Sequence, residues 1–330
     1  MRNEITRLSP KIWSKLGQRG TFFGVAIPEI AKENSKVFVI TADLMALSGL
    51  STYSKLFNEQ FLNVGIAEQN MIGVAAGLAK EGFLPYVTTY ATFVTMRCFE
   101  QLRQNLGVMG FNIKVIGTSA GVTAGMSGVG HFSLEDVALM RTIPNLVVVS
   151  ACDALEAYKI AIASIACPQP MYIRLHGGLN SPMVYEEDFN FCIGKANIIE
   201  TGCDLMIIAT GPQVFQAKEI SRQLRSYNVS CYVIDMHTIK PIDKEIIRES
   251  VNTTKRLIIS LEEHLLIGGL GSAISEVIAE EGLPVKLVKY GFSDSYPVAG
   301  EYNYILEKSG IGSSQIASYI LEMIETKDDV

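Results

Sequence analysis

The stretch FLNVGIAEQNMIGVAAGLAKEGFLPY, residues 61–86, sets one carboxylate, Glu68, before a run of small and apolar residues, Met71 to Ala79. Its period predicts a helix near 67–81, with Gly73, Ala76 and Gly77 spaced for close packing. Glycine in a helix interior costs about 1 kcal/mol relative to alanine, so two of them imply a tight contact with another helix or a ligand. Glu68 falls in the first turn, where the helix dipole favours a negative charge. The following GFLPYVTTYATF reads as strand, loop and helix, and puts Tyr90 and Phe93 near the strand's C-terminal edge. In open α/β sheets ligands bind at that edge. A carboxylate with two aromatic rings there suits a flat heteroaromatic ligand: the rings stack and the acid binds a ring nitrogen. The residues alone leave the plainer alternative open, a helix-start acid beside ordinary core aromatics.

Working outward, short apolar runs alternate with helical patterns. The runs 37–41, 86–90, 113–117, 146–150 and 171–175 are β-branched and apolar on both faces, as buried parallel strands are. Helical patterns lie near 21–34, 67–81, 92–105, 133–141 and 153–166. The segment 177–194, GGLNSPMVYEEDFNFCIG, has turn residues, acids and aromatics without a sustained period. A second series follows, with strands at 205–210, 231–235, 256–261 and 285–290 and helices near 212–226, 242–250, 270–281 and 312–326. The expected fold class is α/β: two doubly wound layered domains with mostly parallel sheets, at 1–178 and 195–330, joined by a linker at 179–194.

The 330 residues are 48% hydrophobic and 19% charged, with a net charge of -6, so substantial cores are available and no basic nucleic-acid footprint is expected. No apolar run reaches the roughly 18 residues of a membrane span. The polar N-terminus lacks the apolar centre of a signal peptide. The six cysteines are scattered without a CxxC, which favours free thiols and a cytoplasmic setting.

Gly65-Ile66-Ala67-Glu68-Gln69-Asn70-Met71, Ala75-Ala76-Gly77-Leu78-Ala79 and Gly82-Phe83-Leu84-Pro85-Tyr86 resemble the pyrimidine-binding domain of transketolases. The resemblance runs on through Thr41-Ala42-Asp43-Leu44, Gly130-His131, Glu135 to Arg141 and Ile143-Pro144-Asn145. In the second half, Ile239-Lys240-Pro241-Ile242-Asp243, Glu262-Glu263-His264 and Gly268-Gly269-Leu270-Gly271 resemble the family's C-terminal domain. It implies a thiamine diphosphate enzyme that transfers a two-carbon ketol unit from a ketose donor to an aldose acceptor. Glu68 matches the glutamate that hydrogen-bonds the aminopyrimidine. Tyr90 and Phe93 match the rings that pack on it, Asp43 matches an acid lining the cofactor cleft, and Ile66 matches a residue shaping the cofactor. His131 matches a histidine that contacts the sugar near the reacting carbon.

The family's diphosphate-binding signature, Gly-Asp-Gly followed by Asn, occurs nowhere in the 330 residues. The resemblance therefore implies the C-terminal subunit of a split transketolase. A separate N-terminal subunit would bring the diphosphate site and Mg²⁺, in an α2β2 assembly. The substrate end departs from the family: Ser127 stands where an aspartate is usual, Ser119 where a histidine is usual, and His176 or Gly177 where an arginine reads the phosphate. Losing that arginine removes a bidentate phosphate contact. Two expectations follow. One is an atypical sugar, unphosphorylated, deoxy or nucleotide-linked. The other is ordinary sugar phosphate, with Arg174, Arg97, Arg103 or the partner chain binding the anion. The competing readings are a 1-deoxyxylulose-5-phosphate synthase-like subunit, a 2-oxo acid dehydrogenase β-like subunit, and a non-catalytic subunit that stabilises a partner.

Overall fold

The computed structural model describes residues 9–328. The first half supplies β1 (Val37–Thr41), β2 (Phe61–Asn63), β3 (Leu84–Tyr90), β4 (Lys114–Thr118), β5 (Val147–Ser150) and β6 (Met171–Arg174). The second supplies β7 (Asn197–Glu200), β8 (Leu205–Ala209), β9 (Cys231–Asp235), β10 (Thr238–Lys240), β11 (Leu257–Leu265) and β12 (Lys286–Phe292). They form a seven-stranded sheet, β10-β5-β6-β4-β3-β1-β2, and a five-stranded sheet, β12-β11-β8-β9-β7. Pairing is parallel except at two edges, where β10 runs against β5 and β7 against β9. This is the expected fold class. β10 lies beyond the linker in sequence yet completes the first sheet, so the second half of the chain contributes a strand to both layers.

Parallel strands buried on both faces need helices on both sides. On one face of the first sheet, Trp13, Phe22, Phe23 and Ile27 pack with Leu155, Tyr158 and Ile160 of the helix Ala154–Ala166. On the other, Met71, Ile72 and Ala75 of the helix Glu68–Lys80 pack with Val94, Leu102 and Met140. In the second sheet, Val214, Ala217 and Ile220 cover one face, and Ile246, Ile247, Leu270 and Ile274 cover the other.

Near the N-terminus, helix begins at Pro10, well before the expected residue 21. Gly17 interrupts its pattern with φ +64, and a Cβ there would collide with the carbonyl oxygen of Gly178. A side chain at residue 17 would block the return of the chain after β6. The strands β2, β7 and β10 are only three or four residues long, too short to show a period. No described helix is long and apolar enough to cross a membrane. The six cysteines are free, with Cys98, Cys152, Cys167 and Cys231 buried.

Candidate active site

The parallel register lines up the C-terminal ends of the strands: Thr41 of β1 pairs with Asn63 of β2 and Thr88 of β3, and Tyr90 of β3 with Thr118 of β4. The residues singled out in the sequence follow those ends in turn. Asp43 follows β1, Ile66 and Glu68 follow β2, Tyr90 ends β3 and Ser119 follows β4. Asp43 and Ser119 both have positive φ, +58 and +52. Non-glycine residues rarely hold that conformation, and it clusters at functional edges. Asn63 ties Asp43 to the Glu68 approach: its Oδ1 accepts the backbone N–H groups of Asp43 and Gly65, both at 3.0 Å.

Glu68 is buried, and its Oε1 accepts from Arg97 at 2.8 Å. The Arg97 guanidinium lies 4.0 Å from the centre of the Phe93 ring. Phe93 meets Tyr90 at 5.7 Å and His131 at 5.5 Å, and His131 meets Tyr90 at 5.6 Å. One chain of contacts thus runs from the carboxylate through a cation to three rings. The Nδ1 atom of His131 is buried without a hydrogen-bond partner among the described residues. Beside Glu68 is an open depression of about 430 Å³, lined by Ile66, Ala67, Glu68, Gln69, Asn70 and Arg97, with Ile66 78% exposed at its rim. A Cβ on Gly73 or Gly77 would meet nothing within 4 Å. Their face of the helix is therefore open, and the tight contact expected of them is not made within the described residues.

The substrate-side residues separate. Ser127 is exposed on the loop that carries His131. Ser119 accepts from Arg19 Nη1 at 3.3 Å. Sequence reasoning missed Arg19, because it lies on a helix that begins earlier than the residue pattern predicts. Burial lowers its pKa, opposed by the nearby Tyr90 hydroxyl. No carboxylate forms an ion pair with it among the described residues, and its guanidinium lies at the same edge, beside Ser119.

Arg174 and His176 lie apart from this group of contacts, buried at the junction of the two sheets. Arg174 is 1% exposed. Its Nε donates to Asp136 Oδ2 at 2.7 Å, and its Nη2 donates to Ser133 O and Glu263 O at 3.0 and 2.8 Å. Its remaining nitrogen meets His176 Nε2 at 3.1 Å. Burial opposes its charge, but Asp136 outweighs that and raises its pKa. Burial and then Arg174 push His176 well below its ordinary value, so it is neutral. The Arg174 donors are spent inside the junction between the two sheets, whereas His176 Nδ1 has no hydrogen-bond partner among the described residues and its ring borders a cavity of about 480 Å³. Arg103 pairs with Glu100 at 3.6 Å on an exposed helix face.

The second-half motifs also serve the junction. Glu262 accepts the N–H groups of Leu270 and Gly271 at 2.6 and 2.8 Å, filling the helix N-terminus that could have taken a phosphate. A Cβ on Gly268 would stand 2.5 Å from Ala138. Cys152, Glu156 and Asp235 cluster nearby, their ligand atoms within 4.8 Å. Burial, then Asp235, raises the pKa of Glu156 well above its ordinary value.

A buried carboxylate and aromatic rings on the C-terminal edge of a parallel sheet, the edge where open α/β sheets bind ligands, define an α/β ligand-binding fold. The Transketolase, pyrimidine binding domain family model matches residues 19–181, and the Transketolase, C-terminal domain model matches residues 194–316. The chain belongs to the transketolase family and corresponds to these two of its domains. It is 36% identical over 298 residues to one of the subunits of the apulose-4-phosphate transketolase of Phocaeicola vulgatus, covering 90% of this chain and 94% of that one. It is 34% identical over 302 residues to the 6-deoxy-6-sulfo-D-fructose transketolase subunit SqwH of Clostridium sp. (strain MSTE9), covering 91% and 92%. A solved structure described as a split gene transketolase, inactive beta4 tetramer, is similar with TM-score 0.82 and 37% identity, over 93% of this chain and 97% of that one. Matches to 1-deoxy-D-xylulose-5-phosphate synthase are weaker, such as 29% with the enzyme of Caldanaerobacter subterraneus, of which the chain spans 48%. The family and these end-to-end relatives make this chain a subunit of transketolase-type transferases.

Proposed function

We propose that this chain is the pyrimidine-binding half of a two-chain transketolase, active with an N-terminal subunit that supplies the diphosphate and Mg²⁺ sites. The observation that carries the reading is the contact chain from Glu68 through Arg97 and Phe93 to Tyr90 and His131. The donor set fits the pyrimidine half of thiamine diphosphate: a buried carboxylate for a ring nitrogen, two rings to pack on it, and an exposed Ile66 at the rim. When bound, that cofactor supplies a carbon nucleophile and an electron sink.

Glu68 holds a proton at the pyrimidine nitrogen, which is general acid–base work in a partly dry site. Tyr90 and Phe93 fix the plane of the ring and exclude water. His131, with its free buried nitrogen, hydrogen-bonds the oxygen of the reacting sugar carbon, where charge develops. Ser127 and Ser119 line the sugar's path, with Asp43 at the cofactor's edge. Arg19 binds an anion at the far end of the sugar. A guanidinium partly stripped of water, with no described carboxylate paired to it, is suited to phosphate or sulfonate. The named substrates of the two relatives, apulose 4-phosphate and 6-deoxy-6-sulfo-D-fructose, each carry such a group. A sugar with a terminal anion is therefore favoured over an unphosphorylated or nucleotide-linked one.

The test mixes this chain with a partner carrying Gly-Asp-Gly and Asn, then follows ketol transfer from phosphorylated, sulfonated and neutral ketoses. Transfer from an anionic ketose only with both chains present is expected. Arg19→Ala should raise KM about tenfold or more, the worth of one charge-assisted hydrogen bond. Tight thiamine diphosphate binding by this chain alone would sink the split-site reading. Preference for neutral ketoses would sink the role of Arg19.

A further inference from the structure

The loop that carries Ser127 and His131 is pinned at its neck. Gly121 and Ser133 pair as an isolated bridge, with N–H to O distances of 3.1 and 2.9 Å. Between these residues the chain makes two tight turns, Gly125–Ser127 and Val129–His131. The second sheet grips this neck. Glu263 is fully buried near the C-terminal end of β11, and its Oε1 accepts the Val122 N–H at 2.7 Å. Its Oε2 accepts the Tyr302 hydroxyl at 2.6 Å, which orients the carboxylate from a third element. The Glu263 backbone carbonyl and Ser133 O share one nitrogen of Arg174. Gly121 has φ +64, and a Cβ there would collide with Glu263 Oε1. Only a glycine lets the neck come this close. The loop's turns also lie against the second layer, with Gly300 O 3.1 Å from where a Cβ on Gly125 would stand.

A buried carboxylate is costly unless its lone pairs are used, so this one stays only where its acceptors are filled. Here they are filled by the substrate loop and by Tyr302. We infer that Glu263 is a positioning residue for His131: from the second sheet it fixes the loop neck and so sets the imidazole against Tyr90 and Phe93. The inference rests on the substrate role proposed above for His131. It gives the second domain a task in the reaction, since a loop held at one end only would present the imidazole over a range of positions.

The test is hydrogen exchange on the full chain, without cofactor or sugar, comparing wild type, Glu263→Ala and Glu263→Gln. In Glu263→Ala, amides of 122–131 should exchange about tenfold faster, the loss of roughly one hydrogen bond. Amides of β8 and β11 should keep their protection. Glu263→Gln retains an acceptor oxygen for Val122 and should restore slow exchange. In the assembled two-chain enzyme, Glu263→Ala should lower kcat while thiamine diphosphate affinity stays unchanged. Unchanged loop exchange in Glu263→Ala overturns the inference. So does equal acceleration across β8 and β11, which would make Glu263 a general stabiliser. If Glu263→Ala does not fold, Tyr302→Phe is read the same way: faster loop exchange with intact β8 and β11 supports the role, and unchanged exchange overturns it. Exchange needs no catalysis. An inactive complex with a coupled loop therefore counts against the enzymatic reading alone, and an active one with an uncoupled loop against the positioning role alone.

Discussion

Two ion pairs sit at the same edge of the first sheet and behave differently. Glu68–Arg97 and Asp136–Arg174 have similar lengths, 2.8 and 2.7 Å. Arg97 is half exposed over an open depression, whereas Arg174 and Asp136 are enclosed by the second sheet. The Arg97 guanidinium keeps its water on one side, so solvent screens its pair with Glu68 more than it screens the enclosed pair. Arg174 and Asp136 have lost their water, so each depends on the other, Arg174 also on the carbonyls of Ser133 and Glu263 and Asp136 also on the Tyr172 hydroxyl. The open half of the edge faces solvent; the closed half is filled by the protein's own partners.

The largest expected effect breaks the closed half. Arg174→Ala leaves Asp136 buried and unpaired, and should cost about 3–5 kcal/mol of stability in chemical denaturation. Glu68→Gln should do the reverse, leaving the denaturation midpoint nearly unchanged while lowering turnover of the two-chain enzyme about 100-fold or more. Equal effects of these variants on both measurements would erase the distinction.

How far the sequence carried this comparison can be judged from particular residues. Glu68, Tyr90 and Phe93 were legible because each lies directly at a strand end or helix start, where local pattern fixes position. Arg174 ends β6 and His176 follows it, and nothing in their own segment distinguishes them from ligand-facing residues. What closes over them is Glu263 and Ser133, remote in sequence. Arg19 was hidden for a similar reason: its place beside Ser119 and Tyr90 depends on a helix kinked at Gly17.

Acidity sharpens the comparison further. Burial raises Glu263 from an ordinary value of 4.5 to about 7, opposed mainly by the Tyr302 hydrogen bond. The folded chain thus holds a proton that the unfolded chain releases between these values, and ionised Glu263 costs stability as pH rises through that window. Glu263→Gln cannot ionise, so its stability relative to wild type should rise from pH 4.5 to about 7 and then level off. Thermal melts across that range check the sign. A flat difference would place Glu263 in a wetter setting than the junction described above. The smallest effect belongs to the open face. Gly73→Ala should stabilise the separate chain by under about 1 kcal/mol, through helix propensity. If a partner covers that face, the same change should weaken two-chain assembly in a pull-down titration.

The two α/β layers, their buried parallel strands and the carboxylate that opens the helix at Glu68 are legible in the amino-acid pattern alone. These follow from periods and breakers within a few residues of one another. Which polar groups keep their water is set by the folded chain. That depends on desolvation by distant segments: the second sheet closing over Arg174, β10 crossing to complete the first sheet, and Arg19 arriving with no described carboxylate beside it.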